Sequence, residues 1–142
     1  MISPVIKLKI LTPRKAVLSK DIDSISLPTP DGEITVLPHH ANLFTLLTEG
    51  IIKINAKGDQ DYLAIGGGYA ETDGQEIHVL VSKAYGQKEV DEALTQKAVL
   101  DAQKILKTTR SEKERQEAAS ILKRSLIDIR LLKRKRRATL SG

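Results

Sequence analysis

Residues 77–98 read IHVLVSKAYGQKEVDEALTQKA, and within them the chain changes its period. Ile77 and Val79 alternate with His78, the two-residue repeat of a half-buried strand. From Val90 the apolar positions fall at Val90, Leu94 and Ala98, a helical spacing. The punctuation changes at the same place. All five prolines lie in the first 38 residues and eight of the nine glycines in the first 86, and neither occurs between Gln87 and Ser141. Glycine and proline mark turns, so a turn-rich part is followed by an uninterrupted one. Two domains are expected, 1–86 and 87–142.

Working back from the switch, Ile6, Leu8 and Ile10 alternate with lysines, Ile25 and Leu27 flank Ser26, and Ile34 and Val36 flank Thr35. Further β-prone runs are 51–54, 62–65 and 77–81. Asp31-Gly32, Lys57-Gly58-Asp59 and Asp73-Gly74 stand between runs as hairpin turns. Working forward, Val90, Leu94, Ala98, Ala102 and Ile105 form one helical stripe, and Ala118, Ile121, Leu122, Ser125, Ile129 and Leu132 a second. Ser111 with Glu114 matches a capping box, and Lys107–Arg110 forms a short connection. The fold class is therefore α+β: an N-terminal antiparallel β-sandwich, then a C-terminal antiparallel two-helix hairpin. Both helical stripes are rich in alanine, so the pair buries little area and is weakly held.

Aromatic residues are 3% of the chain, so a core must come from aliphatic side chains. The absence of cysteine excludes disulfides, thiolate zinc sites and cysteine nucleophiles. No apolar run is long enough to span a bilayer, and residues 1–10 lack the apolar stretch of a secretory signal. The charge is lopsided. Residues 121–142 hold eight basic residues, Lys123, Arg124, Arg130, Lys133, Arg134, Lys135, Arg136 and Arg137, against one acid, Asp128. Such an end is a solvated tip, a nucleic-acid contact, or a match for an acidic protein surface. The nucleic-acid reading is the alternative to a protein-binding role; against it, the chain offers almost no aromatics for base stacking.

Catalytic and metal patterns are missing. His39 and His40 follow Pro38 on a segment read as extended, where neighbours point apart and cannot share a metal. No zinc spacing, Walker loop, dinucleotide fingerprint or nucleophile elbow occurs. Gly66-Gly67-Gly68 precedes a strand rather than a helix, so it is a bulge or close backbone approach, not a phosphate cradle. Asp91-Glu92 suits a helix N-terminus. No enzyme activity, cofactor or metal is expected.

The stretch 31–44, DGEITVLPHHANLF, the segment 65–69, IGGGY, and the helix start 90–93, VDEA, occur in the order found in the epsilon subunits of F-type ATP synthases. The chain resembles that family along essentially its whole length. The resemblance implies a non-catalytic central-stalk subunit of a proton-translocating ATP synthase, peripheral on the cytoplasmic face of a bacterial plasma membrane. It implies a sandwich seated between the gamma subunit and the c ring, and helices that fold as a hairpin or extend into the catalytic hexamer of alpha and beta subunits, restraining ATP hydrolysis. By position, Glu33 matches the c-ring contact, His40 with His39 the gamma contact, and the eight basic residues the inhibitory face. Two departures stand out. Leu94 and Thr95 replace the Arg and Ala of the ATP-binding motif of some members, so no ATP is expected there. His39 stands where glycine is common.

Overall fold

The computed structural model describes residues 4–141, with side chains through Arg134, so the expectations for Lys135, Arg136 and Arg137 lie outside the described residues. The chain divides into two units, 1–85 and 86–142.

The first unit is two five-stranded sheets. The strands are β1 (Ile6–Leu11), β2 (Ala16–Ile22), β3 (Ser24–Thr29), β4 (Gly32–Val36), β5 (Leu43–Leu47), β6 (Gly50–Ala56), β7 (Asp59–Ile65), β8 (Gly68–Thr72), β9 (Glu76–Val81) and β10 (Ala84–Tyr85). One sheet has the order β2-β1-β9-β8-β5 and the other β10-β7-β6-β3-β4. Pairing is antiparallel with one exception, since β1 and β9 run parallel. No hairpin joins these two strands, which lie far apart in the chain, so nothing local dictates their direction. Between the sheets lies one aliphatic cluster that includes Ile6, Leu8, Ile10, Ile25, Ile52 and Ile77, each at 0% exposure. Alternation sends these side chains inward and Lys7, Lys9 and His78 outward.

The three hairpin turns fall where the sequence places them. Lys57 and Gly58 both take positive φ, 53° and 83°, the pattern of a two-residue I′ turn that follows the strand twist. Gly32 (φ 117°) and Gly74 (φ 93°) serve the β3–β4 and β8–β9 turns. In the latter, the Asp73 carboxylate accepts the backbone N–H groups of Gln75 (2.9 Å) and Glu76 (3.0 Å). These donors, Glu76 first, hold its pKa below the ordinary carboxylate value.

The triple glycine is a corner. β7 belongs to one sheet and β8 to the other, and the chain crosses between them at Gly66-Gly67. The return crossing, Ser82-Lys83, runs alongside, with Gly66 N–H donating to Lys83 O (3.0 Å) and Ser82 N–H to Gly67 O (3.0 Å). A Cβ on Gly68 would lie 2.7 Å from the Cα of Val81 and closer still to the Leu80 carbonyl oxygen. This is the close backbone approach expected of glycine within a sheet.

The second unit opens with a 3₁₀ turn, Gln87–Glu89, followed by α1 (Glu92–Thr108) and α2 (Glu112–Ser141). Asp91 caps α1, its side chain accepting Leu94 N–H at 3.0 Å. Only half of the expected capping box forms at α2. Ser111 Oγ accepts Glu114 N–H (3.2 Å), while the Glu114 carboxylate takes the Thr109 hydroxyl (2.6 Å) instead of the Ser111 N–H. The Gln87 side chain donates to Leu132 O (3.0 Å), tying the 3₁₀ turn to α2.

The helical stripes differ from the expected ones. In α1, Ala102 is buried and Ala98 half-buried as expected, but Thr95 is buried and Val99 and Leu106 half-buried outside the stripe, while Leu94 is 65% and Ile105 39% exposed. The packed face is therefore turned toward Thr95, away from the hydrophobic maximum. In α2, Ala118, Ser125 and Leu132 are buried as expected, Ile121 is 42% exposed, and Ile127 and Leu131 are buried outside the stripe. Small side chains at 95, 102, 118 and 125 let two helix backbones approach, and hydropathy alone does not detect that preference.

Two tests follow from the sandwich. Gly68→Ala should lower unfolding free energy by about 3 kcal/mol, as overpacking against backbone does. Gly67→Ala, whose nearest neighbour would be Leu47 O at 3.5 Å, should stay within about 0.5 kcal/mol of the parent. Urea titrations of both check this contrast. The second test concerns Asp73. Its depressed pKa means its stabilisation is present above the ordinary carboxylate pKa of about 4 and is lost as pH falls through the folded value. The Tm difference between parent and Asp73→Asn, followed from about pH 6 downward, should shrink toward zero in strong acid.

Candidate docking surfaces

Glu33 lies in β4, the edge strand of its sheet, opposite Pro28 and exposed beside the β3–β4 turn. His39 and His40 follow the other end of β4. Three strand residues, Ile34, Thr35 and Val36, followed by Leu37 and Pro38, therefore separate the two predicted contacts. The histidine segment lies in the connection between β4 and β5, and there it is a tight turn rather than an extended stretch. Leu37 O accepts His40 N–H (3.2 Å), Pro38 takes the second position, and His39 the third with φ 65°. That is the pattern of a type II turn, whose third residue prefers glycine. His39 adopts a left-handed backbone in its place, steadied by its N–H donating to Gly74 O at 2.9 Å. The His40 ring nitrogen Nδ1 bonds Ala41 O at 2.7 Å, and both histidines are exposed. The turn thus rests on the β8–β9 hairpin and presents two imidazoles at that end of the sandwich.

On α2, Lys123, Arg124, Arg130, Lys133 and Arg134 are all exposed. Lys123, Arg130, Lys133 and Arg134 fall within about 100° of helix surface at 3.6 residues per turn. Arg124 stands apart, lining a shallow groove with Gln116, Glu117, Ser120 and Ile121. At the start of α1, Thr95 is buried in the helix seam and Leu94 offers no charge, so neither side chain presents a phosphate-binding group.

One surface was missed by the sequence reading. The outward face of the β2-β1-β9-β8-β5 sheet carries an apolar row, Leu11, Leu80, Tyr69 and Leu46, in direct cross-strand register. The adjacent row runs Lys9, His78, Glu71, Phe44. Phe44 and Leu46 are 63% and 60% exposed, and Phe44 stacks on Tyr69 with ring centroids 5.2 Å apart. His78 lies 3.3 Å from Glu76 and 3.9 Å from Glu71. Together with Asn42, Leu43, Thr72 and Asp73, Phe44 and these groups line a pocket of about 360 Å³. The available signal was the segment 43–47, LFTLL, which is apolar on both parities, so a strand there carries apolar side chains on its outward face as well as its inward one.

Among the described residues, no helix is long and apolar enough to cross a membrane. The family described as "ATP synthase, Delta/Epsilon chain, beta-sandwich domain" matches residues 5–87. The chain is 36% identical over 97 residues to an ATP synthase epsilon chain of Chloroflexus aggregans, covering 68% of this chain and 70% of that one. It is 32% identical over 110 residues to an epsilon chain of Synechococcus, covering 78% and 80%. Its fold is similar to that of a chain in the Euglena gracilis mitochondrial ATP synthase, with a TM-score of 0.71 at 20% identity over 98% of this chain and 84% of that one. A chain of the Tetrahymena thermophila ATP synthase central stalk and c ring aligns with a TM-score of 0.63 at 16% identity, over 89% and 96%. The family match spans the sandwich and the epsilon-chain relatives extend past it into the helices, so this chain belongs to the epsilon-chain family of ATP synthases.

Proposed function

We propose that this chain is a non-catalytic subunit of the central stalk, held between a gamma subunit and a c ring, which restrains ATP hydrolysis with its C-terminal helices. The observation that carries this reading is the contrast between its two parts. The sandwich closes on fifteen buried aliphatic side chains, whereas the described part of the helix pair buries three large ones, Ile127, Leu131 and Leu132, beside the small Thr95, Ala102, Ala118 and Ser125. Burying an isoleucine or leucine contributes about 1.5–3 kcal/mol, and an alanine methyl less than about 1 kcal/mol. A seam of this kind opens at modest cost, the usual condition for a two-state element.

The surfaces divide the work. Glu33, beside the β3–β4 turn, faces the c ring. The His39-His40 turn, at the other end of β4, meets gamma together with the outward sheet face of Leu46, Tyr69 and Leu80. Lys123, Arg130, Lys133 and Arg134 form the cationic side that meets acidic surfaces of the alpha and beta subunits once the hairpin opens, and the family resemblance adds Lys135, Arg136 and Arg137 to this inhibitory set. Arg124 joins this set from the neighbouring face. The subunit sits peripherally on the cytoplasmic face of the membrane that holds the ring. It works without a nucleotide cofactor, because Leu94 and Thr95 supply no phosphate partner at the start of α1.

Truncation after Gln87 removes the helices and leaves the aliphatic core intact. Reconstituted with alpha, beta and gamma subunits, the truncated chain should still assemble and should raise ATP hydrolysis at least about 5-fold over the full chain, the low end of coupling between sites. Unchanged hydrolysis would overturn the restraining role, and failure to assemble would overturn the stalk assignment. Arg130→Glu with Lys133→Glu and Arg134→Glu should reproduce part of the release, with a dependence on ionic strength lost in the truncated chain.

A further inference from the structure

Four strands end the two sheets, and three of them are guarded against pairing. β2 carries Lys20 and Asp21 and has a register irregularity against β1. β4 carries Glu33, and β10 is two residues long. Charges, bulges and brevity are the usual devices that keep a sheet edge from accepting another strand. β5 has none of them. Leu43-Phe44-Thr45-Leu46-Leu47 holds no charge and no proline, and it pairs with β8 in unbroken register on one side only. Alternate residues of such a strand turn their N–H and C=O groups to the open side. Its outward side chains, Phe44 and Leu46, are among the most exposed large apolar residues of the chain.

A second feature lies beside this edge. The pocket next to Phe44 gathers the carboxylates of Glu71, Asp73 and Glu76 around a single imidazole, His78. Lys9 is the nearest cation in the same cross-strand row, on the far side of His78 from Glu71. The rim of the edge therefore has an unbalanced negative charge next to an aromatic wall, a setting that takes a guanidinium or ammonium group.

We infer that β5 accepts an extended strand from the gamma subunit, which continues the sheet by backbone pairing, covers Phe44 and Leu46 with apolar side chains, and places a Lys or Arg in the pocket of Glu71, Asp73 and Glu76. Strand addition of this kind draws affinity from main-chain hydrogen bonds and selectivity from alternate side chains. A second copy of this chain fits less well, because it would bring another acidic pocket instead of a cation to fill this one. The inference rests on the central-stalk reading and adds to it the mode of attachment.

Amide exchange, followed residue by residue by NMR on the full chain free and bound to the gamma subunit, tests it. In the free chain, alternate amides of β5 should exchange fast while those bonded to β8 are protected. Binding should slow the fast set by about 100-fold or more. Phe44→Lys and Leu46→Lys should keep the exchange protection of β1, β6 and β9 yet weaken binding by about tenfold or more. Glu71→Gln with Glu76→Gln should weaken binding and flatten its salt dependence. A complex that forms with β5 exchange unchanged would overturn the strand addition and leave the stalk reading intact. Failure of any complex to form would overturn both. Protection of the open edge in the free chain, with dimers in sedimentation, would overturn the choice of partner in favour of a second copy.

Discussion

A single aliphatic layer shared by two sheets is the constraint on which the rest of this molecule depends. With aromatics at 3% of the chain, the layer must be filled by Ile, Leu and Val from both sheets at once. Ile6, Leu8 and Ile10 meet that demand from one sheet and Ile25, Leu27, Ile52 and Ile54 from the other. Sheets packed this way stand about 10 Å apart, so the chain must cross between them at tight corners. Gly66 and Gly67 make one such corner, and Gly68 lets β8 begin against the Leu80–Val81 backbone. Once the inward positions are committed, alternation fixes what every strand shows outside. The exposed Phe44 and Leu46, the Leu80–Tyr69 row and the carboxylates around His78 are consequences of that commitment. They are surfaces held in place by a core that lies directly beneath them.

The helical part follows a different logic. Its buried positions mix small and hydroxyl side chains with Ile127, Leu131 and Leu132, and its outer faces carry exposed Leu94, Leu100, Ile105 and Leu126. With fewer large buried side chains than the sandwich, it is the part of the chain that the proposed function has change partners. A basic arc from Lys123 to Arg134 travels with it. The cations of this arc are exposed, and the buried Ile127 and Leu131 lie next to it around the helix. The proposed division of labour between an attachment unit and a movable charged arm rests on this difference between the two interiors.

Much of this was legible in the sequence where geometry demands a particular residue. Asp31-Gly32, Lys57-Gly58 and Asp73-Gly74 announce turns because their backbones need positive φ. Ile6-Lys7-Leu8-Lys9-Ile10 announces a strand because one face is buried and one is wet. β2 escaped notice because its alternation is broken near a register irregularity, and β5 because both of its faces are apolar. The parallel pairing of β1 with β9 has no local signature. The α1 stripe was right at Ala102 and wrong at Leu94 and Ile105, because hydropathy points to those two whereas close packing selects Thr95. Glu33, His39 and His40 carry no chemical pattern of their own; only likeness to a family singles them out. The positive φ of His39 suits glycine, the residue that the family resemblance leads one to expect there.

The central claim is that the two parts are held by interiors of unequal strength. It can be tested in one titration, because all three tyrosines, Tyr62, Tyr69 and Tyr85, lie in the first unit. Tyrosine fluorescence therefore reports the sandwich, while circular dichroism at about 222 nm reports mainly α1 and α2. Urea unfolding of the full chain followed by both signals should give two transitions, with helical ellipticity lost at lower urea than the fluorescence change. A single coincident transition by both probes would contradict the claim and make the chain one cooperative unit.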